Sequence, residues 1–425
     1  MSEWKYEILG EVAKVKGRIG WKGYKTSDLR EFGPIVFSGT EIKSQSYIDF
    51  SKVKHLTQEK YDESPEIMLK DKDIMVATRG SLGQIGFYKK EYGPATINPS
   101  LVIVSEYKGI PEFLYYYFIS NIGQESILAQ SSGTTIPAIY QADLKKIKVP
   151  FPSLNIQSAI AEILSSLDDK IELNNKINQE LESLAQLLFK RWFVDYEFPN
   201  ENGEPYKSSG GKMVNSELGE IPKGWCAEKL SQVTKLIRGI SYRKPELVNE
   251  GEGTAFVNLK CFSLNGTFRQ DGIKYYNGKY KEEQILSSND ILVAVTDLTQ
   301  DREIIGMPIL WNGYITALPS LDTCIIRSEN LEVKNYLYYE FKTKRYKSRI
   351  IEFANGSTVL HLSVKGLETY ILPLPNESLL KKWSETVQPI LEKIQCNINQ
   401  NNELSKTRDI LLPKLITGEL QINNK

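Results

Sequence analysis

What most constrains this chain of 425 residues is that it repeats itself at long range. Trp4, Leu9 and Val12 share their spacing with Trp225, Leu230 and Val233, an offset of 221 residues. Pro99-Ser100-Leu101 returns as Pro319-Ser320-Leu321, offset 220, and Leu114-Tyr115-Tyr116-Tyr117-Phe118 returns as Leu337-Tyr338-Tyr339-Glu340-Phe341, offset 223. Gly133, Leu144, Pro150 and Pro152 match Gly356, Leu367, Pro373 and Pro375 at that same 223. The order is kept and the offset hardly drifts, so the chain is two copies of one unit. With 41% hydrophobic residues it can bury a core in each.

Each copy reads as a mixed globular part followed by a long helix. Runs such as 74–77 and 101–104 have strand character. After Phe151-Pro152, apolar residues from Ile160 through Leu164, Leu167, Ile171, Ile177, Leu181, Leu184 and Leu188 keep three-to-four spacing up to Phe193, which predicts one long helix with a seam. The second copy has Leu380, Trp383, Val387, Ile390, Leu391, Ile394, Ile398, Leu404, Leu411 and Leu415, with Pro389 and Pro413 expected to bend the helix. Turn formers at 198–205 and 208–211 mark 195–220 as a linker.

The expected organisation is a first globular domain at 1–152, a spacer helix at 153–194, a linker at 195–220, a second globular domain at 221–375, and a second long helix with a tail at 376–425. A lone helix with one apolar stripe would leave it in water, so the two helices are expected to pair as an antiparallel coiled coil. The fold class is then α+β: two mixed α/β domains separated by paired antiparallel helices, with an internal pseudo-twofold repeat. Asn174 and Asn401 interrupt the seam; pairing across it to fix register and simple exposure both fit.

The parts of an enzyme are hard to find. Two histidines, His55 and His361, stand far apart with no His-x-x-x-His, and Gly80-Ser81-Leu82-Gly83-Gln84-Ile85-Gly86 lacks the lysine and hydroxyl of a phosphate loop. Glu41-Ile42-Lys43 has a nuclease-like spacing but no earlier acid in a Pro-Asp context, and Asn98-Pro99-Ser100-Leu101 falls short of an adenine-methyltransferase pocket. Cys226, Cys261, Cys324 and Cys396 are scattered, which argues against a zinc ribbon or a disulfide framework and for a reducing, cytoplasmic setting. The N-terminus has no secretory pattern and no apolar run approaches a membrane span. No catalytic, cofactor or metal residue is assigned.

DNA binding gains nothing from net charge, since 53 basic residues balance 53 acidic ones. Read locally, charge says more. Residues 12–27 hold Lys14, Lys16, Arg18, Lys22 and Lys25 with no acid, and 231–245 hold Lys235, Arg238, Arg243 and Lys244, also with none. Both stretches follow the matched Trp-x-x-x-x-Leu-x-x-Val, as a repeated phosphate contact would. Arg79, after a strand and before Gly80, can fork onto guanine; Thr134 and Thr135, matched by Ser357 and Thr358, offer hydroxyls to phosphates or bases. Solvated loops and helix-ending turns are the competing explanation for each. Lys342, Lys344, Arg345, Lys347 and Arg349 crowd a segment that is mainly neutral in the first copy, suggesting that the copies read different sequences.

Three motifs carry a resemblance. Ile221-Pro222-Lys223-Gly224-Trp225, Leu188-Phe189-Lys190-Arg191-Trp192-Phe193-Val194-Asp195 and Leu411-Leu412-Pro413-Lys414-Leu415-Ile416-Thr417-Gly418-Glu419-Leu420 resemble, in turn, the opening of the second target-recognition domain, the end of the central spacer helix and the closing signature of the specificity subunits of type I restriction-modification systems. The resemblance implies two inverted target-recognition domains, each reading half of a split double-stranded DNA target. It implies two modification subunits docked on the helices and methylating adenines with S-adenosylmethionine, and restriction subunits that use ATP and Mg; this chain would bind none of these cofactors. Residues 157–193 as a helix span about 55 Å, on the order of 16 base pairs, so the helices are expected to act as a ruler between half-sites. A stand-alone methyltransferase or nuclease with a cryptic site, and a coiled-coil assembly scaffold, stay open on the residues alone.

Overall fold

The computed structural model describes residues 4–17, 23–43, 48–50, 53–132, 137–263, 266–298, 302–311, 313–356 and 359–422. It divides into two compact units, Met1–Asn174 with Asn399–Lys425, and Asn175–Ile398.

In the first unit four antiparallel strands lie in the order Lys14–Lys16, Leu101–Ser105, Ile74–Ala77, Ile85–Phe87. A second sheet runs Lys54–Leu56, Leu29–Phe37, Ala95–Ile97, its last pair parallel. The central strands are apolar from Ile74 to Ala77 and from Leu101 to Val104 because each face meets a different core. Ile74, Val76, Val102 and Val104 face the aromatic helix Pro111–Ile119, while Met75, Ala77, Leu101 and Ile103 face Ile35, Phe37, Ala95 and Ile97 of the second sheet. Side chains alternate across a strand, so strict two-sided burial requires an unbroken apolar run.

The second unit repeats this order. Lys235–Arg238, Thr323–Arg327, Ile291–Ala294 and Pro308–Leu310 form the antiparallel sheet; Leu247–Val248, Lys274–Tyr276, Thr254–Val257 and Ala317–Pro319 form the other, again with a parallel last pair. Ile291 and Val293 face the helix Leu331–Glu340, and Leu292 and Ala294 face the second sheet. The repeated Leu-Tyr-Tyr runs supply the core: Tyr116, Tyr117, Tyr338 and Tyr339 are all buried.

The long helices are Leu154–Phe189 and Glu377–Ile416, the latter continuous through Pro389 and Pro413. Within the first unit they run antiparallel: Arg408 Nη1 donates to Asp168 Oδ1 at 2.7 Å, and Asn174 Nδ2 to Gln400 Oε1 and Asn401 Oδ1 at 2.8 Å each. Within the second unit Asn397 Nδ2 donates to Asn178 Oδ1 at 2.8 Å. Asn174 and Asn397 are buried, so these seam asparagines pair across it rather than face water.

Each helix ends in a core. Phe189 and Phe193 pack with Trp225, Tyr336 and Trp383 in the second unit, and Leu412, Leu415 and Ile416 join Leu9, Phe113 and Leu114 in the first. The first helix closes in a π turn, Asp195 N–H to Lys190 C=O at 2.9 Å, that keeps Phe193 fully buried. The segment 195–220 is itself folded: Phe198 stacks on Tyr206 at 4.5 Å and on Trp225 at 5.7 Å, and Met213–Ser216 pairs with Gly219–Pro222.

Candidate nucleic-acid interface

The matched basic stretches sit at matched places. Lys14–Lys16 is the edge strand of its sheet, with Lys14 in register with Ser105; Lys235–Arg238 is the corresponding edge, with Lys235 in register with Arg327. Each leading lysine holds a surface acid. Lys14 pairs with Glu106, whose carboxylate Lys16 also approaches at 3.6 Å, and Lys235 Nζ lies 2.8 Å from Glu283. The hydrogen bonds from Lys14 and Lys235 hold Glu106 and Glu283 below the usual carboxylate range. Exposed pairs of this kind are worth little, so a phosphate can displace the acid at small cost.

Lys25 and Arg243 are a second matched pair. Each leads into a single tight turn, Thr26–Asp28 or Lys244–Glu246, and its backbone N–H donates at 2.6 Å to the acid three residues on, Asp28 or Glu246. Capping fixes the backbone and leaves the side chains of Lys25, Arg243 and Lys244 in solvent.

Arg79 and Arg238 both leave the ends of sheet strands. Arg79 is exposed beside Gly80, whose φ of 74° lets the chain turn away from the sheet. Arg238 ends its strand at the mouth of a cleft of about 370 Å³ lined also by Ser241, Thr296, Thr323, His361 and Ser363. Gly239 behind it is indispensable, because a Cβ there would stand 1.8 Å from the Ser320 carbonyl oxygen. Arg18, Lys22, Thr134, Thr135, Ser357 and Thr358 lie outside the described residues.

One expectation is corrected. Of the basic run 342–349, Lys342, Arg345 and Lys347 are turned inward, while Lys344 and Arg349 stay exposed. Lys342 donates to Glu182 on the first long helix at 2.6 Å and lies 4.1 Å from the Tyr338 ring centre; Arg345 binds Glu340 and the Phe193 carbonyl; Lys347 donates to the Ile305 carbonyl at 2.5 Å. Burial pushes the Lys342 ammonium below its ordinary pKa, against the pull of Glu182. Lys342 and Arg345 fasten the helix to its domain, so their charge says nothing about what that domain reads. Sequence reasoning passed over Glu106 and Glu283 and weighed His361 only as a metal ligand; its place could have been found by carrying the Gly133 to Gly356 match five residues further.

Residues 1–183 match the family described as type I restriction modification DNA specificity domain. Over 97% of its length the chain is 28% identical to the type I restriction enzyme MjaIX specificity subunit of Methanocaldococcus jannaschii, covering 94% of that protein. Over nearly its whole length the chain is similar to the specificity subunits of type I restriction-modification systems. Another specificity subunit, that of HindI from Haemophilus influenzae, is 23% identical over 99% of this chain and 100% of its own. The crystal structure of the S subunit from M. genitalium shares the fold, with a TM-score of 0.53, 18% identity, and coverage of 97% of this chain and 96% of that one. The span matched by the family ends inside the first long helix; the repeat carries the same strand order into the second unit. No helix among the described residues is long and apolar enough to cross a membrane.

Proposed function

We propose that this chain recognises a specific double-stranded DNA target as the specificity subunit of a type I restriction-modification complex, each globular domain reading one half of a split site. The observation that carries this reading is the combination of near full-length similarity to specificity subunits with a duplicated domain whose edge strands place Lys14 and Lys235 in the same register. Phosphate contacts at these lysines position the duplex; residues at the strand ends discriminate bases.

The chemistry belongs to partners in this proposal: two modification subunits that methylate adenine with S-adenosylmethionine, and restriction subunits that use ATP and Mg. The long helices are the proposed seat of the modification subunits. Large apolar side chains left in water support this, Leu173 and Ile410 in the first unit and Leu184 and Leu187 in the second, since a soluble helix seldom exposes them without a partner. The helices also serve as the ruler for the gap between half-sites, and the complex works in the cytoplasm.

Reconstitution tests the proposal. The chain with its modification subunits should methylate adenine in a defined two-part site and shift that DNA in preference to scrambled sequence. The chain alone, given S-adenosylmethionine or Mg, should neither methylate nor cleave; activity of the isolated chain would contradict the assignment of chemistry to partners.

A further inference from the structure

The backbone that frames the cleft beside Arg238 has a counterpart in the first domain, and hydrogen bonds fix the correspondence. In the second unit Val295 N–H donates to Asp322 C=O at 2.8 Å and Leu362 N–H to Val295 C=O at 2.8 Å; in the first, Thr78 N–H donates to Ser100 C=O at 2.8 Å and Ile139 N–H to Thr78 C=O at 3.1 Å. Strand register aligns Lys235 with Lys14. It follows that Arg238, Thr296, His361 and Val364 stand where the first domain has Gly17, Arg79, Ala138 and Gln141.

The two domains therefore bring a cation to one topological point from different strands. In the second, Arg238 comes from the edge strand and His361 from the strand Leu360–Leu362, paired opposite Thr296 with Nδ1 at 3.4 Å from its hydroxyl. In the first, the Arg238 position is Gly17, and the space beside it is filled: a Cβ there would lie 2.2 Å from Gln141 Nε2. The cation instead stands at Arg79, in the place of Thr296.

The chemistry of the second cleft is that of a reader of acceptors. Its rim carries Arg238, Ser241, His361 and Ser363, all exposed; its floor is the buried Thr296 and Thr323; and none of its lining residues is acidic. A guanidinium forks onto the O6 and N7 acceptors of guanine, and a hydroxyl or imidazole serves a neighbouring acceptor.

We infer that this cleft is the base-reading point of the second domain, with Arg238 reading guanine and His361 as a second specificity-determining residue, and that Arg79 reads from the same topological point in the first. The inference rests on the proposed DNA-reading function. Exchange of the cation between strands, on a conserved backbone, is what lets two copies of one domain read unlike half-sites.

The test uses the full chain assembled with its modification subunits, scoring the methylated motif and competition binding for R238A, R238K, H361A and R79A. R238A should weaken binding to the cognate site about tenfold or more and make one position of one half-site degenerate. R238K, which keeps the charge and loses the fork, should show the same degeneracy with an unchanged salt slope. H361A should loosen that same half-site, and R79A the other one. Complex assembly and melting like wild type exclude misfolding as the cause. An unaltered motif in R238A and H361A overturns the inference, as does a loss spread evenly over all sequences with a shallower salt slope, which marks a phosphate contact. A wild-type complex with no sequence preference would instead defeat the DNA-reading function itself.

Discussion

Asp290, fully buried in the second unit, is held by Arg327, whose Nε lies 3.0 and 3.2 Å from the two carboxylate oxygens and whose Nη2 lies 2.5 Å from Oδ2. Both aspartates of the repeat cap a turn in the same way, Ser287 N–H to Asp290 and Lys70 N–H to Asp73, each at 2.8 Å. In the first unit, however, the residue in the place of Arg327 is Ser105. One copy has a neutralised buried carboxylate and the other has none, and this difference has consequences for stability.

Burial raises the Asp73 carboxyl to about 6 from an ordinary 3.8, against the smaller opposing pull of the Lys70 N–H. Between those values the folded chain binds the proton more tightly than the unfolded one, so stability present below pH 4 is lost as pH rises through 6. The loss is of order 2 kcal/mol for the first unit. Denaturant unfolding from pH 4 to 8 should show it. Asp73→Asn, and Ser105→Arg, which copies the second unit, should each flatten the dependence.

Arg327→Met leaves Asp290 buried without its partner and should cost the second unit about 3 kcal/mol at pH 7. The same denaturant titration reads this as a lowered midpoint for one of two transitions. A cost below about 1 kcal/mol would mean that water reaches the carboxylate.

The pair Glu182 and Lys342 gives a different signature, since both side chains are almost excluded from water. Lys342→Met alone should cost about 3 kcal/mol, while Glu182→Leu with Lys342→Met should recover most of it, because two well-packed apolar groups replace a desolvated ion pair. A double mutant as unstable as the single would show that the pair contributes more than packing can replace.

Much of this architecture was legible in the sequence, and the reasons for the rest are physical. Offsets between Trp4 and Trp225 or Leu114 and Leu337 exposed the repeat, and three-to-four spacing exposed the helices, because both are periodic in the chain itself. What depends on distant partners was not legible. The capture of Leu415 and Ile416 by the first core, and of Phe193 by the second, joins segments hundreds of residues apart or across a turn that sequence alone reads as a linker. Asn174 could have faced water or the seam, and only the opposite helix decides. Likewise the charge of Lys342 and Arg345 is the same whether it meets solvent, a phosphate or Glu182; direction, not composition, separates those cases.

Salt dependence probes the edge-strand lysines. Lys14→Ala with Arg18→Ala should weaken DNA binding across all sequences and flatten the plot of log affinity against log salt. Glu106→Gln should do the reverse at low salt, tightening binding about threefold by freeing Lys14 and Lys16 for phosphate. Unchanged slopes in both variants would place this strand away from the duplex.

The most direct test of the whole account is a genome-wide map of methylated adenines in cells with and without this chain, the modification subunits being present in both. The account predicts that one motif disappears on deletion, that it has two defined parts separated by a fixed unspecified gap, and that restoring the chain restores it. An unchanged map, or loss of a short contiguous palindrome, would contradict it.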